Sequence, residues 1–208
     1  MIEGQTYQEF YTKKRWNNWL EKIKETDLNL DQNEEDSSEL KDVGLLVVNM
    51  QDDVILACLK LIAKYDQEQV SQEDANKILA EIRDIVLNEI EPISEDVDLL
   101  LDSIQSSLVG ALVSCEWYIN NAYEEDCDIK SLLNSAIEAE KEENIEDALA
   151  YIAEIGACVL NGSTLPDSFI EDIEYGLVAE WIDGIDSIAA AMVGSDSYKE
   201  DDGDYDPV

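Results

Sequence analysis

The chain is expected to fold as an all-α, single-domain bundle of about seven helices, and three observations predict it. Apolar residues recur at three- and four-residue spacing in one segment after another, and no segment shows the alternation of a half-buried strand. Helix start and stop residues punctuate the chain at matching intervals. The third observation is the stretch VDLLLDSIQSSLVGALVSCEWYINNAY, residues 97–123. Val97, Leu100, Leu101, Ile104, Leu108, Ala111, Leu112, Cys115 and Ile119 keep helical spacing there, and Leu99, Val109, Val113 and Trp117 form a second apolar set. A third line, Ser103, Ser107, Gly110 and Ser114, is small. Apolar on two sides and small on another suits a helix surrounded by neighbours. Residues 95–123 are therefore the expected central helix, with the small line admitting one neighbour closely.

The other elements follow in order. Thr6, Tyr7, Gln8 and Glu9 fit a capping box, opening a first helix that runs to about residue 25. Trp16, Trp19, Leu20 and Ile23 share one of its faces, while Lys13, Lys14, Asn17, Glu21 and Lys24 fall away from it. Residues 26–38 read as a polar acidic connector. Ser37 or Ser38 caps a second helix over 39–65, with a core line of Leu40, Val43, Val47, Met50, Val54, Cys58, Leu61 and Ile62. Asp52 and Asp53 interrupt its apolar run and read as solvent-face residues. Ser71, Gln72, Glu73 and Asp74 resemble a second capping box. The third helix should run from there to residue 90 and stop ahead of Pro92. Ser94 then caps the central helix. Asp128 caps a helix over 129–143, and Asn144 one over 145–160 with Ala148, Ile152, Ile155 and Val159 inward. Asn161 and Gly162 are a helix stop, and Pro166 suits the first turn of a last helix over 167–193. Its buried stripe would be Phe169, Ile173, Leu177, Trp181, Ile185, Ile188 and Met192. Residues 195–208 are acidic and patternless, and disorder is expected there. The chain thus divides into a basic, aromatic helix (1–25), a connector (26–38), an acidic bundle (39–194) and a tail (195–208).

Charge narrows function. With 50 acidic and 13 basic side chains, the 208 residues carry a formal −37, yet 45% are hydrophobic, so a core is expected rather than a disordered chain. Such self-repulsion loosens a compact state unless salt screens it. In residues 1–24, five cations (Lys13, Lys14, Arg15, Lys22, Lys24) face three acids (Glu3, Glu9, Glu21), leaving +2, so the remainder carries −39. A body of that charge does not favour a phosphate backbone. The first residues lack the basic-then-apolar order of a signal peptide, and the longest uncharged run, 103–115, is shorter than the roughly 20 residues of a membrane span. A soluble cytoplasmic protein is expected. The four cysteines, Cys58, Cys115, Cys127 and Cys158, are far apart and read as buried thiols, not as a disulfide framework or a metal knuckle.

The segment FYTKKRWNNWLEKIKETDL, residues 10–28, resembles the opening of a family of uncharacterised, acidic, all-helical archaeal proteins carrying a domain of unknown function. The shared features are Phe-Tyr-Thr, then Arg-Trp and Trp-Leu, then an acidic helical chain. The resemblance implies an archaeal, cytoplasmic origin and a cation-rich cytosol. It brings no activity, cofactor or site residue. Lysine supplies 11 of the 13 cations, which fits a moderate rather than an extreme salt regime.

The chain has no histidine, which removes Ser-His-Asp and Cys-His catalysis and the usual imidazole metal ligand. It has two arginines and no glycine-rich phosphate loop. Carboxylate chemistry remains. Glu140 with Glu143, and Glu171 with Glu174, place acids three apart on separate expected helices. That is the pattern of a divalent-metal-dependent all-α nucleotide pyrophosphohydrolase, the alternative reading. In the tail, Asp202 to Asp206 resembles half a calcium loop but leaves no room for its twelfth-position Glu. The leading expectation is a non-enzymatic, cofactor-free protein that binds a basic protein partner through Lys13, Lys14, Arg15, Trp16 and Trp19, because Trp, Tyr and Arg dominate interface hot spots. A third reading is an acidic nucleic-acid mimic. Neither direct nucleic-acid binding nor a membrane is expected, and self-association is left open.

Overall fold

The computed structural model describes residues 10–25, 38–124, 126–166 and 173–193. They form α1 (Lys13–Lys24), α2 (Ser38–Asp66), α3 (Gln72–Val86), α4 (Glu95–Ile119), α5 (Ile129–Lys141), α6 (Ile145–Leu160) and α7 (Leu177–Val193). No strand occurs among the described residues, so the all-α class holds. The expected tail, the connector over 26–37 and the Thr6 capping box lie outside the described residues.

The central position of α4 holds as well. It packs on α7 and α6 on one side and on α2 and α3 on the other, while α5 lies against α6 and α1 crosses α3 and α2. Val97, Leu101, Ile104, Leu108, Ala111, Leu112, Cys115 and Ile119 are all buried, as their spacing predicts. The small line does its expected work with two neighbours rather than one. A Cβ placed on Gly110 would stand 2.4 Å from the Trp181 carbonyl oxygen of α7. The reciprocal position, Gly184, would put its Cβ 2.1 Å from the Ser107 carbonyl oxygen. On the other flank, Gly156 of α6 meets Ser114, whose hydroxyl donates to the Gly110 carbonyl at 2.6 Å. By length and composition α4 is apolar enough to cross a membrane, but half of that window is buried inside the bundle, as befits a core helix.

Several helix ends differ from expectation, each for a local reason. Phe10 to Thr12 are not helical. Thr12, extended at φ −127° and ψ 149°, is the N-cap of α1 and accepts from the Arg15 amide. Tyr11 and Trp16 flank that cap at the positions of a hydrophobic staple, and both are buried. Helix α3 stops at Val86 rather than residue 90, because Gln105 of α4 donates to the Val86 and Asn88 carbonyls at 2.7 and 3.1 Å. Helix α4 stops at Ile119, where Tyr65 and Gln72 both donate to its carbonyl at 3.0 Å and Asn121 turns left-handed at φ 52°. Helix α5 ends at Lys141, ahead of Glu143 at φ 61°. Helix α7 begins at Leu177, not near residue 167, because the Glu140 carboxylate accepts from the Leu177 amide at 2.6 Å and the Val178 amide at 3.3 Å. Leu177, at that first position, is exposed, while Trp181, Ile185 and Ile188 are buried as expected. The caps Ser71, Ser94, Asp128 and Asn144 stand where the sequence places them.

The cysteines require one correction. Cys58 and Cys115 are buried free thiols, but Cys127 and Cys158, 31 residues apart, are joined in a disulfide. It ties the segment before α5 to the buried end of α6. The sequence separation gave no hint of it, because the pairing depends on how α5 folds back along α6. A hydrogen bond with Cys58, and then burial, hold the Cys115 thiol well above its usual range, so Cys115 is chemically quiet.

Candidate interaction surface

Helix α1 brings its predicted residues together, buries Trp16, holds Arg15 and Trp19 half-buried against α2, and leaves Lys13 and Lys14 outward. Trp16 is 3% exposed and belongs to the core with Ile23. Arg15 donates from Nε to Asp53 Oδ2 at 2.8 Å and from Nη2 to Asp53 Oδ1, and Trp19 Nε1 donates to the same Oδ2 at 2.8 Å. The Arg15 guanidinium also lies 5.3 Å from the Tyr11 ring centroid, and Lys22 Nζ 4.2 Å from that of Trp19. Lys13 and Lys14 remain exposed. Asp53 is thus no solvent-face residue. Its side chain is 15% exposed and clamps α1 onto α2. The Tyr11 hydroxyl beside it is buried without a hydrogen bond of acceptable geometry. Burial first, and then the Asp53 charge, push the Tyr11 phenol above the ordinary tyrosine range.

Three members of the two acid pairs lie among the described residues. Glu140 is committed to the backbone amides that start α7. Glu143 is exposed beyond the end of α5, Glu174 is exposed, and Glu171 lies outside the described residues. Among the described residues no group of three or more Asp, Glu or Cys is placed to share a metal ion.

A surface that the sequence did not single out lies on the opposite use of α2. A groove of about 250 Å³ runs between Val47, Val48, Gln51 and Asp52 of α2, Leu100, Ser103 and Ile104 of α4, and Asp183 and Ser187 of α7. Its floor is a polar seam. The buried Gln51 amide donates to Asp183 Oδ2 at 3.1 Å and to the Ser187 hydroxyl at 2.9 Å, and the Ser107 hydroxyl donates to the same Asp183 oxygen at 3.1 Å. One hydrogen-bonded cluster therefore fixes α2, α4 and α7 relative to one another at the groove. Desolvation raises the Asp52 carboxyl above the ordinary aspartate value.

The rims are apolar and open. Leu45 is 61% exposed, Val48 53% and Leu99 62%. Leu56 extends the α2 rim two turns further. Positions 45, 48, 52 and 56 share one face of α2. Leu45, Val48 and Leu56 stand outside the core line drawn for α2, but so do the buried Ile55 and Leu59, so spacing alone does not single out the open face. Leu99 was read as part of a second covered set, and the structure leaves it bare. Chemically, the groove offers apolar walls, hydroxyls and two carboxylates, and among the described residues no cation lines it. It suits an apolar group flanked by positive charge.

No curated protein and no solved structure matches the chain. A family model, DUF2150, matches residues 9–201, which is most of the chain and includes every helix described above. The protein belongs to that family, described as uncharacterised proteins conserved in archaea.

Proposed function

We propose that this is a non-enzymatic cytoplasmic protein that binds another protein through the groove between α2, α4 and α7. The observation that carries the reading is the exposure of Val48 in the lining of one concavity, with exposed Leu45 on the same face of α2 and exposed Leu99 next in the chain to the lining residue Leu100, on a chain of net charge −37. Isolated exposed apolar residues need no explanation, but a cluster rimming a groove on a heavily charged body marks an interaction site. This moves the binding surface away from α1, where Arg15, Trp16 and Trp19 serve the fold. Lys13 and Lys14 stay available as outward charges. The general acidity also keeps the body soluble in a cation-rich cytoplasm and away from nucleic acid.

The test is capture of partners from an archaeal lysate at the salt concentration of the living cell, run in parallel with Val48→Glu. A stoichiometric partner retained by the natural protein and lost by the variant is expected. Equal capture by both overturns the assignment of the groove.

A further inference from the structure

We infer that the occupant of the groove is one amphipathic helix of a partner protein, apolar on the face turned inward and bearing Lys or Arg along its edges. The inference rests on the binding reading above and names its partner's chemistry. Three observations lead to it. The α2 face from Leu45 to Leu56 lies 11 steps along the helix, about 16 Å at 1.5 Å per residue, so a partner helix of three turns or more would run its length. The facing rim, Leu99 and Leu100 of α4, gives the opening two apolar walls, the arrangement into which amphipathic helices lay one face. Asp52 and Asp183 line the opening, and among the described residues no cation does, on a molecule with 50 acids and 13 bases. Edge cations of an incoming helix therefore gain attraction from both the nearby carboxylates and the whole field. A second copy of this chain is the poorer occupant. It would bring another −37 body, and its own Asp52 and Asp183, against the same carboxylates. Phosphate-bearing ligands meet the same repulsion.

The probe is a labelled 18-residue peptide of Leu and Lys patterned as an amphipathic helix, compared with its shuffled composition by fluorescence anisotropy across a salt series. The patterned peptide should bind at least about tenfold tighter than the shuffled one. Val48→Glu and Leu99→Glu should each weaken it by at least about tenfold, although each adds a negative charge. Asp52→Asn should weaken it about two- to fivefold and flatten its salt dependence. Both glutamate sites are exposed and on different walls, so if one variant melts early the other carries the comparison.

Equal binding of both peptides, or glutamate variants that bind as tightly as the natural protein, would mean plain attraction to a polyanion and would overturn the inference. Light scattering on the protein alone supplies the other decisive reading. A dimer that Val48→Glu dissolves would place a second copy in the groove and overturn the cationic helix, while leaving the groove an interface. A lysate partner lost on Val48→Glu, together with an indifferent peptide, would sink this inference and spare the broader binding reading.

Discussion

Two glycine-to-alanine changes should move stability in opposite directions. Gly44 and Gly184 both lie inside helices, where alanine is the better former by about 1 kcal/mol. At Gly44 nothing stands within 4 Å of the added methyl, so Gly44→Ala should keep that gain. For a domain of this size it raises Tm by about 2–4 °C. At Gly184 the methyl carbon would sit 2.1 Å from the Ser107 carbonyl oxygen. An ordinary carbon–oxygen contact is about 3.3 Å, so α7 must back away from α4 by about 1 Å. That atom is backbone and no rotamer change relieves it. Overpacking of this kind costs about 1–3 kcal/mol. The neighbouring Asp183 also accepts from Ser107 and Gln51, and separating the helices weakens bonds worth about 1 kcal/mol each. After subtracting alanine's helix gain, a net loss of about 2–3 kcal/mol and a Tm drop of about 5–10 °C are expected. Circular-dichroism melts of the two variants check it. If Gly184→Ala melts at or above the natural protein, the close α4–α7 crossing is wrong, and the groove geometry built on it falls too.

Other expectations follow from the same structure. Asp53→Ala should loosen α1, lowering stability by about 1–2 kcal/mol, a figure held down by the 41% exposure of Arg15. A red shift of tryptophan emission at temperatures below global melting would report it; unchanged emission and stability would refute the clamp. Because the folded state favours the neutral Tyr11 phenol, its contribution is whole below the ordinary tyrosine pKa of about 10 and is lost as pH rises beyond it. Tyr11→Phe should therefore flatten the alkaline limb of the stability profile while changing neutral-pH stability little. Thiol counting in denaturant without reductant should find two free thiols of four, and reduction should cost about 3–4 kcal/mol for a 31-residue separation; four free thiols would remove the disulfide. Raising KCl from low to molar concentration should raise Tm, since screening relieves a −37 body; a salt-independent melt would mean the repulsion is already compensated.

What could be read from the sequence was whatever a helix declares by itself. Burial of Ile152, Ile155 and Val159, the caps at Ser71 and Asp128, and the centrality of α4 all follow from spacing within one segment. Helix ends were misread wherever a distant side chain sets them, as Gln105 does for α3 and Glu140 for α7. Asp53 was misread for the same reason. A carboxylate in an apolar run looks like a surface residue until Arg15, 38 positions away in the chain, comes to meet it.

Helix α2 shows where this distinction has functional consequences. Its apolar residues encircle the helix, and a helix apolar all round needs a neighbour on every side. The half from Val54 onward has them on most sides, so Val54, Ile55, Leu59, Leu61 and Ile62 are buried while Leu56 stays open. The half around Leu45 and Val48 has the same composition but an open side. Nothing in local propensity separates the two halves; only the count of surrounding helices does. An apolar face that the described residues leave uncovered is what the proposed partner would cover. That is why the groove, rather than the tryptophan-bearing first helix, is the surface to test.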